Sequence, residues 1–152
     1  MNSLPLFFIF LILPTILLSQ VVNIAQVCEV NGLVTRFEEQ SGSIVPVQVG
    51  YRVVEDTLFF TDSDSELIIS LPGKIVTRLG ENTRVVLGPK KNNRYEVELQ
   101  IGTVSALLDP NRKKMKVPVF AIRTINGVTE ATGTFYAVTE YKGQTYTAVK
   151  KG

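Results

Sequence analysis

Few residues in this chain are placed to do chemistry. Asp56-Thr57-Leu58 begins like the Asp-Thr-Gly turn of aspartic proteases, but that turn needs a glycine backbone in third place and Leu58 stands there. Thr61-Asp62-Ser63-Asp64-Ser65-Glu66 sets three carboxylates at alternate positions, as calcium loops do. A loop of the EF-hand type would need Gly sixth and Glu twelfth, where this chain has Leu67 and Gly73. The spacing predicts instead an Asp/Ser turn whose side chains cap their own backbone. Ser105 with one of the lysines could form a Ser–Lys hydrolase pair, and paired carboxylates offer a second hydrolytic route, but no sequence context marks either. The chain has no histidine and one cysteine, Cys28, which excludes Ser-His-Asp and Cys-His catalysis, cysteine-rich metal sites and an intrachain disulfide. No catalytic, cofactor or metal residue is therefore assigned.

Two basic loops remain, Lys90-Lys91-Asn92-Asn93-Arg94 and Arg112-Lys113-Lys114-Met115-Lys116. The second follows the turn-former Asp109-Pro110-Asn111. Arg112, Lys113, Lys114 and Lys116 could touch an anionic polymer or lipid head group, while the plain alternative is a solvated hairpin tip. The whole chain gives no stronger hint. Its 16 basic and 14 acidic side chains leave a net charge of +2, too small a field to imply nucleic acid as a partner.

The address is written at the N-terminus. Leu4 to Leu18 read LPLFFIFLILPTILL, with no charge, which is short for a membrane span and the right length for the apolar core of a signal peptide. A small residue before the cut is the usual processing cue. Ala25-Gln26 offers one, with Ser19-Gln20 second, so the expected division is a signal peptide over 1–25 and one domain over 26–152. The alternatives are an uncleaved anchor running on through Val21, Val22 and Ile24, or lipidation at Cys28. Each puts the domain outside the cytoplasm, periplasmic or secreted, with the membrane touched only through the N-terminal segment if it is retained. After cleavage at Gln26, Cys28 is expected to be a packed small apolar residue of the first strand.

From Gln26 onward Val, Ile and Thr far outnumber Ala and Leu, a bias that favours pleated sheet over helix. No window holds an i, i+3, i+4, i+7 apolar stripe. Tyr95, Val97, Leu99 and Ile101 alternate with Glu96, Glu98 and Gln100, which predicts a half-buried antiparallel strand. Turn signals then divide the chain into about 10–11 strands, near 27–38, 44–49, 52–60, 66–71, 74–79, 83–88, 94–101, 103–108, 117–124, 131–139 and 144–149. Pro72-Gly73, Asn126-Gly127 and Lys142-Gly143 are the hairpin turns, with Asn126-Gly127 the strongest type I′ signal. The expected fold is all-β, an antiparallel β-sandwich or a short β-helical stack.

In order, three stretches resemble the FecR domain, the periplasmic all-β module first named for a regulator of iron-dicitrate uptake. Val27-Cys28-Glu29-Val30-Asn31-Gly32-Leu33-Val34 is similar to the family's opening strand. Val54-Glu55-Asp56-Thr57-Leu58 with Thr61 and Ser65-Glu66-Leu67 is similar to its middle segment. Gly133-Thr134-Phe135-Tyr136-Ala137-Val138 matches its most distinctive motif. Thr132 stands where the family usually has arginine, and Glu55 where it has glycine.

The resemblance implies a fold and a compartment. It does not imply the family's contact with a cytoplasmic sigma factor, because only a few residues precede the apolar run. The function expected is non-catalytic recognition or envelope architecture, binding an envelope protein or glycan. The rivals are an exported hydrolase and a sensor working through a separate membrane partner. Gly133, Thr134, Phe135 and Val138 are expected to be structural, with Phe135 and Val138 inside and Thr134 and Tyr136 facing the opposite side. The final strand, 144–149, is expected to have an open edge, making the chain a monomer or an edge-strand dimer.

Overall fold

The computed structural model describes residues 22–111, 118–131 and 135–150. They form thirteen β-strands and no α-helix, as the surplus of β-branched side chains demands. The strands are β1 (Asn23–Asn31), β2 (Val34–Glu38), β3 (Ser43–Pro46), β4 (Arg52–Val54), β5 (Thr57–Thr61), β6 (Glu66–Leu71), β7 (Ile75–Leu79) and β8 (Arg84–Leu87). They continue with β9 (Arg94–Leu108), β10 (Val119–Thr124), β11 (Gly127–Ala131), β12 (Phe135–Tyr141) and β13 (Gln144–Lys150).

The architecture turns on β9, fifteen residues long and shared by two sheets. Its first half pairs with β8 and β10 in a sheet ordered β3-β2-β5-β8-β9-β10-β11. Its second half pairs with β7 and β12 in a sheet ordered β4-β1-β6-β7-β9-β12-β13. A single core contains Phe59, Leu87, Leu99 and Phe120 from the first sheet and Val27, Leu67, Ile69 and Ile75 from the second. Each such side chain contributes roughly 1.5–3 kcal/mol by leaving water. The pairing is antiparallel except for β10, which runs parallel to β9 from Val119↔Arg94 to Arg123↔Glu98.

Gly102 lets β9 serve both sheets. Tyr95, Val97 and Leu99 point inward, and after the bend Val104, Ala106 and Leu108 do, so the inward phase changes from odd to even. Opposite Arg84-Val85 the register skips Gln100, a bulge, and Gly102 follows at φ 95°. A Cβ there would lie 2.3 Å from Thr83 Oγ1 and 2.7 Å from the Asn82 carbonyl. This explains two departures from expectation. Strands 94–101 and 103–108 are one strand, and Ile101 leaves the face of Leu99 to stand 46% exposed. Threonine hydroxyls tie the corner. Thr103 N–H donates to Thr83 Oγ1 at 3.0 Å, Thr83 N–H to Thr61 Oγ1 at 2.9 Å, and Thr61 O–H to the Gly80 carbonyl at 2.5 Å.

Other boundaries shift for local reasons. The strand expected over 27–38 breaks at Gly32 (φ 73°), and that over 52–60 breaks at the Glu55-Asp56 turn, where Asp56 has φ 61°. Pro72-Gly73 closes the β6–β7 hairpin with Lys74 as a third loop residue. Lys142-Gly143 closes β12–β13 with φ 51° and 75°, the two positive angles of a type I′ turn. The β10–β11 hairpin is present, but Thr124 pairs with Gly127, so its loop is Ile125-Asn126. Neither loop residue has positive φ, so that turn is not type I′. Asn126 instead reaches across to the other sheet, its Nδ2 donating to the Gly143 carbonyl at 2.9 Å and to Thr145 Oγ1 at 3.0 Å.

Three side chains contradict their expected environment. Cys28 is exposed, not packed: the β1–β6 register passes from Val27↔Ile69 to Glu29↔Ile68, so Cys28 is the unpaired bulge residue. Phe135 is 40% exposed, and Tyr136 is the buried aromatic. Residues 135 and 138 differ by three, so a regular strand cannot turn both inward; β12 aims Tyr136, Val138 and Glu140 at the core. Ala25 and Gln26, the expected processing site, lie within β1, and Ile24 and Ala25 belong to the core.

Candidate functional site

Alternation decides what the outer face of the first sheet presents. With Tyr95 and Val97 inward, Arg94, Glu96 and Glu98 must stand outward, and the parallel neighbour β10 adds Arg123 opposite Glu98. These side chains line an open groove of about 400 Å³ with Asp56, Gly88, Pro89 and Lys91. Glu96 is its electrostatic centre. It accepts from Arg123 Nε at 2.6 Å and lies 3.3 Å from Arg94, whose other nitrogen reaches Glu130 at 2.6 Å. The hydrogen bond from Arg123 holds the Glu96 carboxyl below the usual carboxylate range, and Glu96 in turn raises Arg123. A carboxylate so held is a poor proton donor near neutral pH, which weighs against Glu96 and Glu98 as an acid–base pair.

A second groove, about 300 Å³, lies round the Glu55-Asp56 turn and is lined by Arg36, Phe37, Glu38, Glu39 and Tyr51. Arg36 stacks 4.3 Å over the Tyr51 ring and pairs with Glu38 at 2.8 Å, lowering the Glu38 carboxyl. Glu39, Glu55 and Asp56 line the same groove, so carboxylates outnumber its one cation, Arg36.

The residues singled out from sequence fall as follows. The Asp62–Glu66 stretch is a self-capped turn: Ser63 N–H donates to Asp62 Oδ1 at 2.8 Å and Ser65 O–H to the Ser63 carbonyl at 3.0 Å. Among the described residues no group of three or more potential ligands is placed to hold a metal ion. Ser105 is buried, and its cross-strand neighbours are Arg78 and Ala137, so the register brings no lysine opposite it. The first basic loop is partly neutralised through Arg94, and Lys90 lies 5.5 Å over the Tyr95 ring. Val138 is buried and Gln26 exposed. Arg112, Lys113, Lys114, Lys116, Gly133 and Thr134 lie outside the described residues, as does the apolar run of Leu4 to Leu18.

Sequence reading missed the Arg94–Glu96–Arg123 row and a second feature, an apolar row on the outer face of the other sheet. Val76, Leu107 and Phe135 are direct cross-strand neighbours and are 39%, 55% and 40% exposed. Both rows need strand pairing to assemble, and no spacing along the chain announces pairing between residues 27 to 31 apart.

The described residues form an all-β module of two sheets that share one long strand. In the comparison with protein families, the model described as FecR protein matches residues 57–152, and the chain belongs to that family. The opening stretch at Val27–Val34 lies ahead of the matched region. Neither a curated protein nor a solved structure matches the chain. FecR domains are typically the periplasmic part of membrane-bound regulators, a regulatory or sensor-type module.

Proposed function

We propose that this chain is an exported FecR-type module that works by recognition, binding an envelope protein or glycan, and has no catalysis of its own. The observation that carries this is the family match over 57–152, joined to an uncharged apolar run before β1 that suits export. The site geometry supports the non-catalytic part. Glu96 is held ionised by Arg123, and Ser105 is buried between Arg78 and Ala137. Recognition then uses exposed sheet surface, where groups can be exchanged without disturbing the core.

The test has two arms. The exported chain, used as bait in envelope extract, is expected to retain one saturable partner, while an unbiased panel of esterase, amidase and glycosidase substrates stays unturned. Turnover that disappears in Ser105→Ala or Glu96→Gln would replace this reading with the hydrolase.

A further inference from the structure

We propose that a second copy of this chain adds to the open edge of β13, joining two molecules in an antiparallel, two-fold pair centred on Thr147. The inference concerns self-association and is independent of what the module recognises.

The four strands that end the two sheets are not equivalent. β4 has three residues and pairs with β1 through a bulge; β3 has four and ends in Pro46; β11 has five and carries Glu130. Each is blunted in a way that discourages strand addition. β13 has seven residues, pairs with β12 in unbroken register from Gln144↔Tyr141 to Lys150↔Phe135, and carries one charge, Lys150. Among the described residues no strand pairs with its other side. A long, regular, nearly uncharged edge is a template for another strand.

The turn fixes which groups that edge presents. In a two-residue type I′ hairpin the residues flanking the loop, here Tyr141 and Gln144, exchange hydrogen bonds, and such pairs alternate along the ladder. Gln144, Tyr146 and Ala148 therefore bond inward to β12. The N–H and C=O groups of Thr145, Thr147 and Val149 point away from it. A two-fold axis beside Thr147 pairs these groups with their own copies, Thr147 with Thr147 and Thr145 with Val149.

That register is self-complementary in its side chains too. It sets Tyr146, 56% exposed, against Ala148 of the other copy in a closely spaced pair. Ala137 stands beside Ala148 on β12, leaving a shallow place for the ring on each side of the axis. Lys150 meets Gln144, so no like charges face each other. The joined sheet would also carry the Val76–Leu107–Phe135 row toward the interface.

The exported chain, purified as the cell processes it, is the sample. Sedimentation equilibrium at high micromolar concentration is expected to give twice the monomer mass. Thr147→Lys places two cations across the axis and should return the mass to that of a monomer, with the circular dichroism of the parent and an unfolding midpoint close to that of the parent diluted to monomer. In a Cys28→Ser background, Thr147→Cys should form an intermolecular disulfide on oxidation, and Gln144→Cys should not. A parent that stays monomeric, a Thr147→Lys protein that remains a dimer, or equal cross-linking at 144 and 147 would each overturn the proposal. So would a heterologous strand on this edge in a chain that never self-associates.

Discussion

Tyr136 holds more of this structure than Phe135 beside it. It is fully buried, and its hydroxyl donates 2.9 Å to the Phe120 carbonyl on the opposite sheet, so one side chain fills the core and spans it. Tyr136→Phe keeps the volume and removes that bond; the expected loss is about 1–2 kcal/mol in urea unfolding. Tyr136→Ala should cost about 3–5 kcal/mol, as for other large aromatic truncations. Phe135→Ala, on the outer face, should cost under about 1 kcal/mol. A Phe135→Ala cost matching that of Tyr136→Ala would reverse the assignment of faces. The family was legible in the sequence, but the phase of this strand was not. Phe135-Tyr136 alone does not say which aromatic is inside; the parity shared with Val138 and Glu140 does.

At the level of elements, alternation and turn chemistry carried much of the fold. Tyr95, Val97 and Leu99 read correctly because each repeats a two-residue period, and Lys142-Gly143 because the turn needs two positive φ angles. Gly102 read wrongly because a glycine between apolar runs signals a strand end as readily as a bend inside one. What decides is non-local: Thr83, nineteen residues earlier, closes the space where a Cβ would sit. Gly102→Ala should therefore cost about 3 kcal/mol or more, since it combines positive φ with a clash against backbone. Gly143→Ala supplies the contrast: its φ is also positive, but nothing lies within 4 Å, so only the backbone strain of about 1–2 kcal/mol is expected. Unfolding midpoints of the two variants decide the matter, and equal losses would mean that β9 does not turn tightly on the Thr83 corner. The charged row on β9 and β10 was illegible for the same reason, since Arg123 meets Glu96 only through a parallel pairing that no turn dictates.

For the molecule as a whole, the fold bears on the proposed leader and on which cut would leave the domain intact. β1 begins at Asn23, pairing Asn23 with Val54 and Ala25 with Val53, and buries Ile24 in the shared core. A cut between Ala25 and Gln26 would delete these pairs, strip β4 of part of its neighbour and open the core where Ile24 sits. A cut between Ser19 and Gln20 would leave β1 whole. Processing after Ser19 is therefore the expected outcome, with Gln20 as the first residue by intact mass of the exported protein. The energetic argument can be measured separately, by comparing a chain that starts at Gln20 with one that starts at Gln26. Losing the Ile24 side chain from the core should cost the shorter chain roughly 2–4 kcal/mol, with the lost β4 pairing in addition. Against an ordinary domain stability of about 5–15 kcal/mol, that is a large fraction of what holds the chain folded. Equal urea midpoints for the two chains, together with a mass beginning at Gln26, would mean that the first three residues of β1 contribute nothing to the mature domain.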